Sequence, residues 1–371
     1  MERLEGAKPK GPQWRMVSLL FSVVLAAFLA QASGSLLAIP LGQAFVPAGF
    51  ALLAMLARLS DDEPVARPPA LLLLVATTFS LAIGSLALVV LNVVEPGSLQ
   101  EPAQEVEFLA GGEGRLSFTI MLLAVSGSAS AVTLFRAVRA SLTDIIPIDP
   151  ELTSHALGLS AAVAVAIVPM LPLLVLGHAP FPLPIGALPE DAAGLAMPSF
   201  VERTFELGWF ALATLLVAGP GSGRSWRAVI ERLGLHAPPP WHLIVAAVAG
   251  VALAFLRPLV MTRIATWMAV PPAAVPDGWS PGSLSWLGLV ACALVTATGT
   301  ELTFRGLLQP RLGIVFTNLV WIAPLAWAAS WNVLFAAFGA GLVFGALRMA
   351  SGTRAAWVAH VMFLVSWRWW P

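Results

Sequence analysis

Tyrosine is absent from this 371-residue chain, cysteine occurs once, and charged side chains make up only 11% of it. Each shortage excludes something. A soluble domain carries about a quarter charged residues, so this chain has too little polar surface to cover a soluble globule. The lone Cys292 rules out an intramolecular disulfide; inside an apolar run it reads as a small core residue. The 20 basic and 20 acidic residues cancel, so no basic excess points to nucleic acid. Strand-like alternation is missing, which argues against a membrane barrel. Without tyrosine, any aromatic belt at a membrane surface must be built from tryptophan, and Trp14, Trp226, Trp241, Trp267, Trp367, Trp369 and Trp370 stand near the ends of apolar runs.

What is present is hydrophobic residue, 58% of the chain, with a mean hydropathy of +0.86. Crossing a hydrocarbon core of about 30 Å takes about 20 apolar residues as a helix, and runs of that length recur throughout. The fold class predicted is an all-α integral membrane protein, a polytopic bundle of about eleven transmembrane helices. The spans fall near 16–37, 41–59, 70–94, 116–135, 156–177, 205–220, 241–262, 284–308, 312–331, 333–347 and 355–370. Pro-rich breaks such as Asp61-Asp62-Glu63-Pro64, Glu95-Pro96-Gly97, Pro180 to Pro189, Pro238-Pro239-Pro240 and Pro271 to Pro281 separate them. The organisation expected is a basic tail over 1–15, an N-terminal membrane region of about six helices over 16–223, and a second membrane domain over 224–371.

Basic residues test that list independently. With the N-terminus inside and the spans alternating, Arg3, Lys8, Lys10, Arg15, Arg58, Arg67, Arg136, Arg139, Arg224, Arg227, Arg232, Arg311, Arg348 and Arg354 gather on the cytoplasmic side. Only Arg115, Arg203, Arg257, Arg263 and Arg368 gather opposite, and Arg305 falls inside a span. That is the bias that orients membrane proteins. The motif Ala30-Gln31-Ala32 after a basic start also fits a signal-peptide cleavage site, but the apolar stretch continues past it, and a retained first span is the favoured reading.

Chemistry concentrates in the last third. Ionisable groups inside a bilayer are functional candidates by default, and Glu301, Arg305 and His360 are three of them. Glu301 and Arg305 are four apart and share a helix face; taken alone, the plain reading is a structural ion pair beside a core histidine.

The residues around them point further. The segment from Thr300 through Glu301, Phe304-Arg305-Gly306-Leu307-Leu308 and Pro310-Arg311-Leu312 resembles the first motif of the CPBP family, the CAAX-prenyl-protease-type intramembrane glutamic endopeptidases and their bacteriocin-processing relatives. The Gly-rich run from Phe335 to Trp357, ending in Val358-Ala359-His360, is similar to the family's next helix, turn and final helix, and Glu231 to Leu235 to the segment that precedes its domain. The resemblance covers roughly 224–371. It implies catalytic-motif positions at Glu301, Arg305 and His360; no metal-ligand cluster or cofactor motif is evident in the sequence, and the expected residence is a bacterial inner (plasma) membrane, with the N-terminus cytoplasmic by the basic-residue bias.

The same resemblance argues against catalysis. Thr300 stands where the family has its water-activating glutamate, Trp331 where it has the second-motif histidine, and Leu364 where it has an asparagine or aspartate that helps hold the oxyanion. Hydrolysis needs a proton acceptor and aimed donors, and losing one costs about 10²–10³-fold. The function expected is a catalytically impaired family member, embedded in the lipid bilayer, that binds an active protease relative or a hydrophobic client segment as partner or scaffold in processing or sorting membrane-anchored proteins. An active endopeptidase with an altered site is the alternative. A transporter or lipid-handling protein is weaker, since the N-terminal spans lack intramembrane charges and paired broken helices.

The expected topology is testable by labelling cysteines from one side of the membrane. Gly112→Cys and Ser222→Cys should react from opposite sides; reaction of both from the same side would overturn the span list.

Overall fold

Prolines and long apolar runs set where the helices begin. Pro40, Pro64, Pro172 and Pro240 each stand in the first turn of a helix, where the missing amide hydrogen is an orphan in any case. The computed structural model describes residues 11–33, 38–94, 112–178, 180, 200–219, 223–268 and 284–369. Within them the helices run α1 Gly11–Ala32, α2 Ile39–Gly42, α3 Phe45–Asp62, α4 Arg67–Val94, α5 Gly112–Val132, α6 Arg136–Leu142, α7 Thr153–Ile167, α8 Leu171–Leu176 and α9 Phe200–Ala218. They continue as α10 Trp226–Arg232, α11 Pro240–Trp267, α12 Trp286–Thr300, α13 Gln309–Ile322, α14 Trp331–Ser351 and α15 Thr353–Ser366. A π-helical segment, Glu301–Leu308, joins α12 to α13. No strand occurs among the described residues.

Eight stretches are long and apolar enough to cross a membrane: Gln13–Ala32, Ile39–Asp62, Pro64–Val93, Gly114–Val132, Thr153–Leu176, Pro240–Trp267, Trp286–Trp327 and Trp331–Ser351. The difference from about eleven has three identifiable sources. The expected spans 284–308 and 312–331 lie in one 42-residue stretch, Trp286–Trp327, which breaks at Gly313 (φ 73°, ψ 171°), a left-handed conformation that favours glycine. Helix α9 opens with Glu202, Arg203 and Glu206, too many charges for a plain apolar span. Helix α15 has only 14 residues. Conversely, the expected short span 333–347 is a 21-residue helix capped by Gly352 (φ 84°). Lys8, Lys10, Trp370, Ser222, Pro271 to Pro281 and most of the loops 95–115 and 178–203 lie outside the described residues.

The surface is that of a membrane protein. Large apolar side chains face outward along the helices, Phe21 at 60%, Phe79 at 64% and Val248 at 62% exposure, an apolar extent that water does not tolerate. Small and hydroxylated residues instead fill the helix contacts, as expected where lipid removes any hydrophobic drive between helices. Ser130 and Ser160 hydroxyls meet at 2.8 Å, Thr214 and Thr303 at 2.8 Å, and the Ser85 hydroxyl donates to the Val168 carbonyl at 3.0 Å.

Two glycines bring the site-bearing helices together. A Cβ on Gly250 of α11 would lie 2.1 Å from the Ala359 carbonyl oxygen of α15, and one on Gly299 of α12 would lie 2.0 Å from the Leu207 carbonyl oxygen of α9. The second contact, with Thr214–Thr303, packs the N-terminal region directly on the C-terminal one. Gly250→Ala should therefore force α11 from α15 and destabilise the fold by about 1–3 kcal/mol, read as a lower melting temperature in detergent. An unchanged melting temperature would mean the helices separate without cost.

Candidate functional site

The site is built on the π segment, and the sequence explains why the helix widens there. Pro310 has no N–H. In a π register each carbonyl pairs with the amide five residues on, and the Gln309 amide duly donates to the Phe304 carbonyl. The Arg305 carbonyl then faces Pro310 and has no amide to accept from. Nε of Arg348, on α14, donates to it at 3.1 Å, meeting the requirement that a buried carbonyl find a partner. Next along, the Gln309 side-chain amide donates to the Gly345 carbonyl at 2.9 Å. Helix α14 is thus fastened side by side to a segment that cannot complete its own ladder.

Glu301 and Arg305 project from this segment into the bundle, both 0% exposed. Arg305 Nε lies 3.5 Å from Glu301 Oε2. His360, on α15, approaches from the other side, with Nδ1 2.8 Å from Glu301 Oε1. An ionised carboxylate only accepts, so Nδ1 carries the hydrogen. Nη2 of Arg305 donates to Asn318 Oδ1 at 2.9 Å and to the Gly341 carbonyl at 3.2 Å. The guanidinium also lies 4.5 Å over the Trp321 ring, a cation–π contact. Phe344 stacks on His360 at 4.8 Å with planes 16° apart, and Trp321 meets His360 edge-on at 6.2 Å.

All three expected ionisable residues therefore meet in one buried cluster. The substituted motif positions do not join it in the same way. Thr300 is buried at the end of α12, and Leu364 is buried one turn past His360. Trp331 opens α14, stacked on Phe335 and packed with Leu173, Ile322 and Leu334; the tryptophan beside His360 is Trp321. Sequence reasoning missed Asn318, Trp321, Phe344 and Arg348. Asn318 had a signal, an amide within the apolar run Ile314 to Ile322.

Beside the cluster lies a cavity of about 470 Å³. Leu215, Leu235, Leu243 and Val358 make it apolar, Trp357 donates to Thr298 across its wall at 3.0 Å, and Arg354 stands at its edge. Glu301 forms part of that wall although its side chain is fully buried. Glu301 Oε2, Arg305 Nε and Nη1 and Asn318 Nδ2 make no hydrogen bond, so one carboxylate oxygen and three donors of the cluster are held by electrostatics and packing alone. No group of three or more His, Cys, Asp or Glu that could hold a metal occurs among the described residues.

Comparison of the chain with protein-family models, with characterised proteins and with solved structures finds no match.

Removing one partner of a buried pair leaves an uncompensated charge and costs about 3–5 kcal/mol. Glu301→Gln strands Arg305 and should lose stability on that scale. Arg305→Leu should cost less, because His360 still hydrogen-bonds Glu301. The double variant should be milder than the sum of the two singles. Wild-type melting temperatures for both single variants would show that the cluster is not structural.

Proposed function

We propose that the chain is a CPBP-like membrane protein that has lost peptide-bond cleavage and works by binding, its partner being a hydrophobic client segment or an active protease relative. One observation carries this reading: the carboxylate in the cluster is fully buried, with Oε1 bonded to His360 at 2.8 Å and Oε2 held 3.5 Å from the Arg305 guanidinium. A general base needs a lone pair within hydrogen-bond reach of the water it activates. Oε1 of Glu301 is taken by His360 and Oε2 faces a guanidinium that opposes proton uptake, and Thr300, the preceding residue, accepts no proton at neutral pH. The apolar cavity of about 470 Å³ beside it suits hydrocarbon or an apolar side chain.

This reading includes a chain that crosses a bacterial inner membrane about eleven times with its N-terminus in the cytoplasm. Helix α9, the two halves of Trp286–Trp327 on either side of Gly313, and α15 supply the crossings beyond eight. Residues 16–223 form a region that supports the 224–371 domain through the α9–α12 contact.

The second reading, an active endopeptidase with an altered site, is favoured by Glu301 lying in the cavity wall. A single experiment separates them. The protein is purified free of relatives and incubated with synthetic membrane segments in detergent and in liposomes. No cleavage is expected, and Glu301→Ala or His360→Ala, in folded form, should leave the cellular phenotype intact. Cleavage by the wild type that disappears in folded Glu301→Ala would sink the non-catalytic reading.

A further inference from the structure

A second cluster of charge sits at one end of the bundle, on α3, α7, α10 and the start of α13, and the buried site does not use it. A cavity of about 260 Å³ there is lined by His155, Arg232 and Arg311, with Gly306, Leu307 and Pro310. Arg58 and Arg224 lie within electrostatic reach of the same arginines. All five basic side chains are half-buried. Among the described residues, no carboxylate forms an ion pair with Arg58, Arg232 or Arg311, whereas Arg136, Arg203, Arg227 and Arg305 each pair with a glutamate. Two acids, Asp61 and Asp149, act on His155, while Glu151 and Glu231 are paired with Arg136 and Arg227. Asp61 accepts from the Ser154 amide at 2.9 Å, and Asp149 Oδ1 from the Glu151 amide at 2.9 Å.

The histidine gives the independent sign. Its Nδ1 accepts the Asp149 amide hydrogen at 2.7 Å. A neutral imidazole has one N–H, so Nε2 carries it. Yet Nε2 lies 3.3 Å from Arg311 Nη1, which is also a donor. Two donors face each other, and Arg58 Nε is buried with no acceptor. Such an arrangement is completed by an acceptor with several negative oxygens between the donors. Arginine is the side chain best matched to phosphate, through its planar fork, and basic pockets between membrane helices hold phosphorylated headgroups.

We propose that His155, Arg232 and Arg311, backed by Arg58 and Arg224, form a binding site for a phosphate anion, presented by the headgroup of an anionic lipid or as a free phosphate. The apolar residues around this end favour the lipid as the source: Phe135, Ile145, Trp226 and Ile230 are all exposed there or beside it. Burial first, then the Arg311 and Arg58 charges, pull Arg232 below its ordinary arginine value. Burial with Arg232 and Arg58 does the same to Arg224. That is the repulsion an anion relieves. The site is independent of whether Glu301 is catalytic.

The test is the melting temperature of the purified full chain in detergent. It is titrated with phosphatidylglycerol, with phosphatidylcholine, with inorganic phosphate, and with sodium chloride at matched ionic strength. Phosphatidylglycerol is expected to raise the melting temperature by about 5 °C at saturation, and phosphatidylcholine by less than half as much. Arg232→Gln and Arg311→Gln should each remove at least half of the rise, while melting no lower than wild type without lipid, because each removes repulsion. Arg227→Gln, exposed and paired with Glu231, should keep the whole rise. A phosphate-dependent rise without a lipid-dependent one, lost in the same variants, would assign the site to free phosphate. If a glutamine variant fails to fold, Arg311→Lys, which keeps the charge and loses the fork, should still lose part of the rise. No rise with any anion, or a full rise retained in Arg232→Gln and Arg311→Gln, would overturn the proposal.

Discussion

The packing of the C-terminal helices depends on a fully buried ion pair, Glu301 with Arg305, and the histidine that joins it. An isolated charge in a low-dielectric interior is very costly, and a group in that position neutralises or finds partners. Here each partner comes from a different element: Arg305 from the π segment, His360 from α15, Asn318 from α13, the Gly341 carbonyl from α14. Satisfying one guanidinium and one carboxylate thus fixes the mutual position of four elements. Apolar contact alone would leave their rotations degenerate, because lipid and helix interiors are equally apolar. The polar cluster supplies orientation, and the aromatic rings of Trp321 and Phe344 shield it from water.

That requirement explains why the helix is not regular. An α-helical continuation through Pro310 would leave the Gly306 carbonyl without an amide and crowd the proline ring against it. The π register moves the orphan to the Arg305 carbonyl, where Arg348 reaches it. One proline, one arginine and eight residues of widened helix are therefore a single solution. The charge that closes it, Arg348, belongs to the same end of the bundle as the phosphate-binding arginines.

Much of this was legible in the sequence, and the reasons are local. Composition alone gives an all-helical membrane bundle, and the spans follow from apolar runs between prolines. Glu301, Arg305 and His360 stand out because charge is so scarce that each intramembrane ion is conspicuous. Other features were illegible for equally local reasons. A π segment has no hydrophobic period distinct from a helix over eight residues. The break at Gly313 hides inside a continuous apolar run, so helix ends there depend on tertiary contacts. Trp331 sits where a motif alignment puts it near the histidine, but side-chain position follows helix rotation, and Trp321, ten residues earlier, occupies that place. Charge near helix ends looked like a topology signal only; its convergence on His155 needed residues 58, 232 and 311 brought together from distant parts of the chain.

Both cavities are lined in part by the π segment. Glu301 and Leu302 face the apolar cavity, and Gly306 and Leu307 face the basic one, so a single widened turn separates hydrocarbon-like space from a phosphate-like site. An amphiphile has the same two parts in the same order, an anionic head and an apolar body. The distance between the cavities is spanned by fewer than eight residues of helix. A turn held at one face by Arg348 and at the other by the Glu301 pair has little freedom to shift at one cavity without shifting at the other.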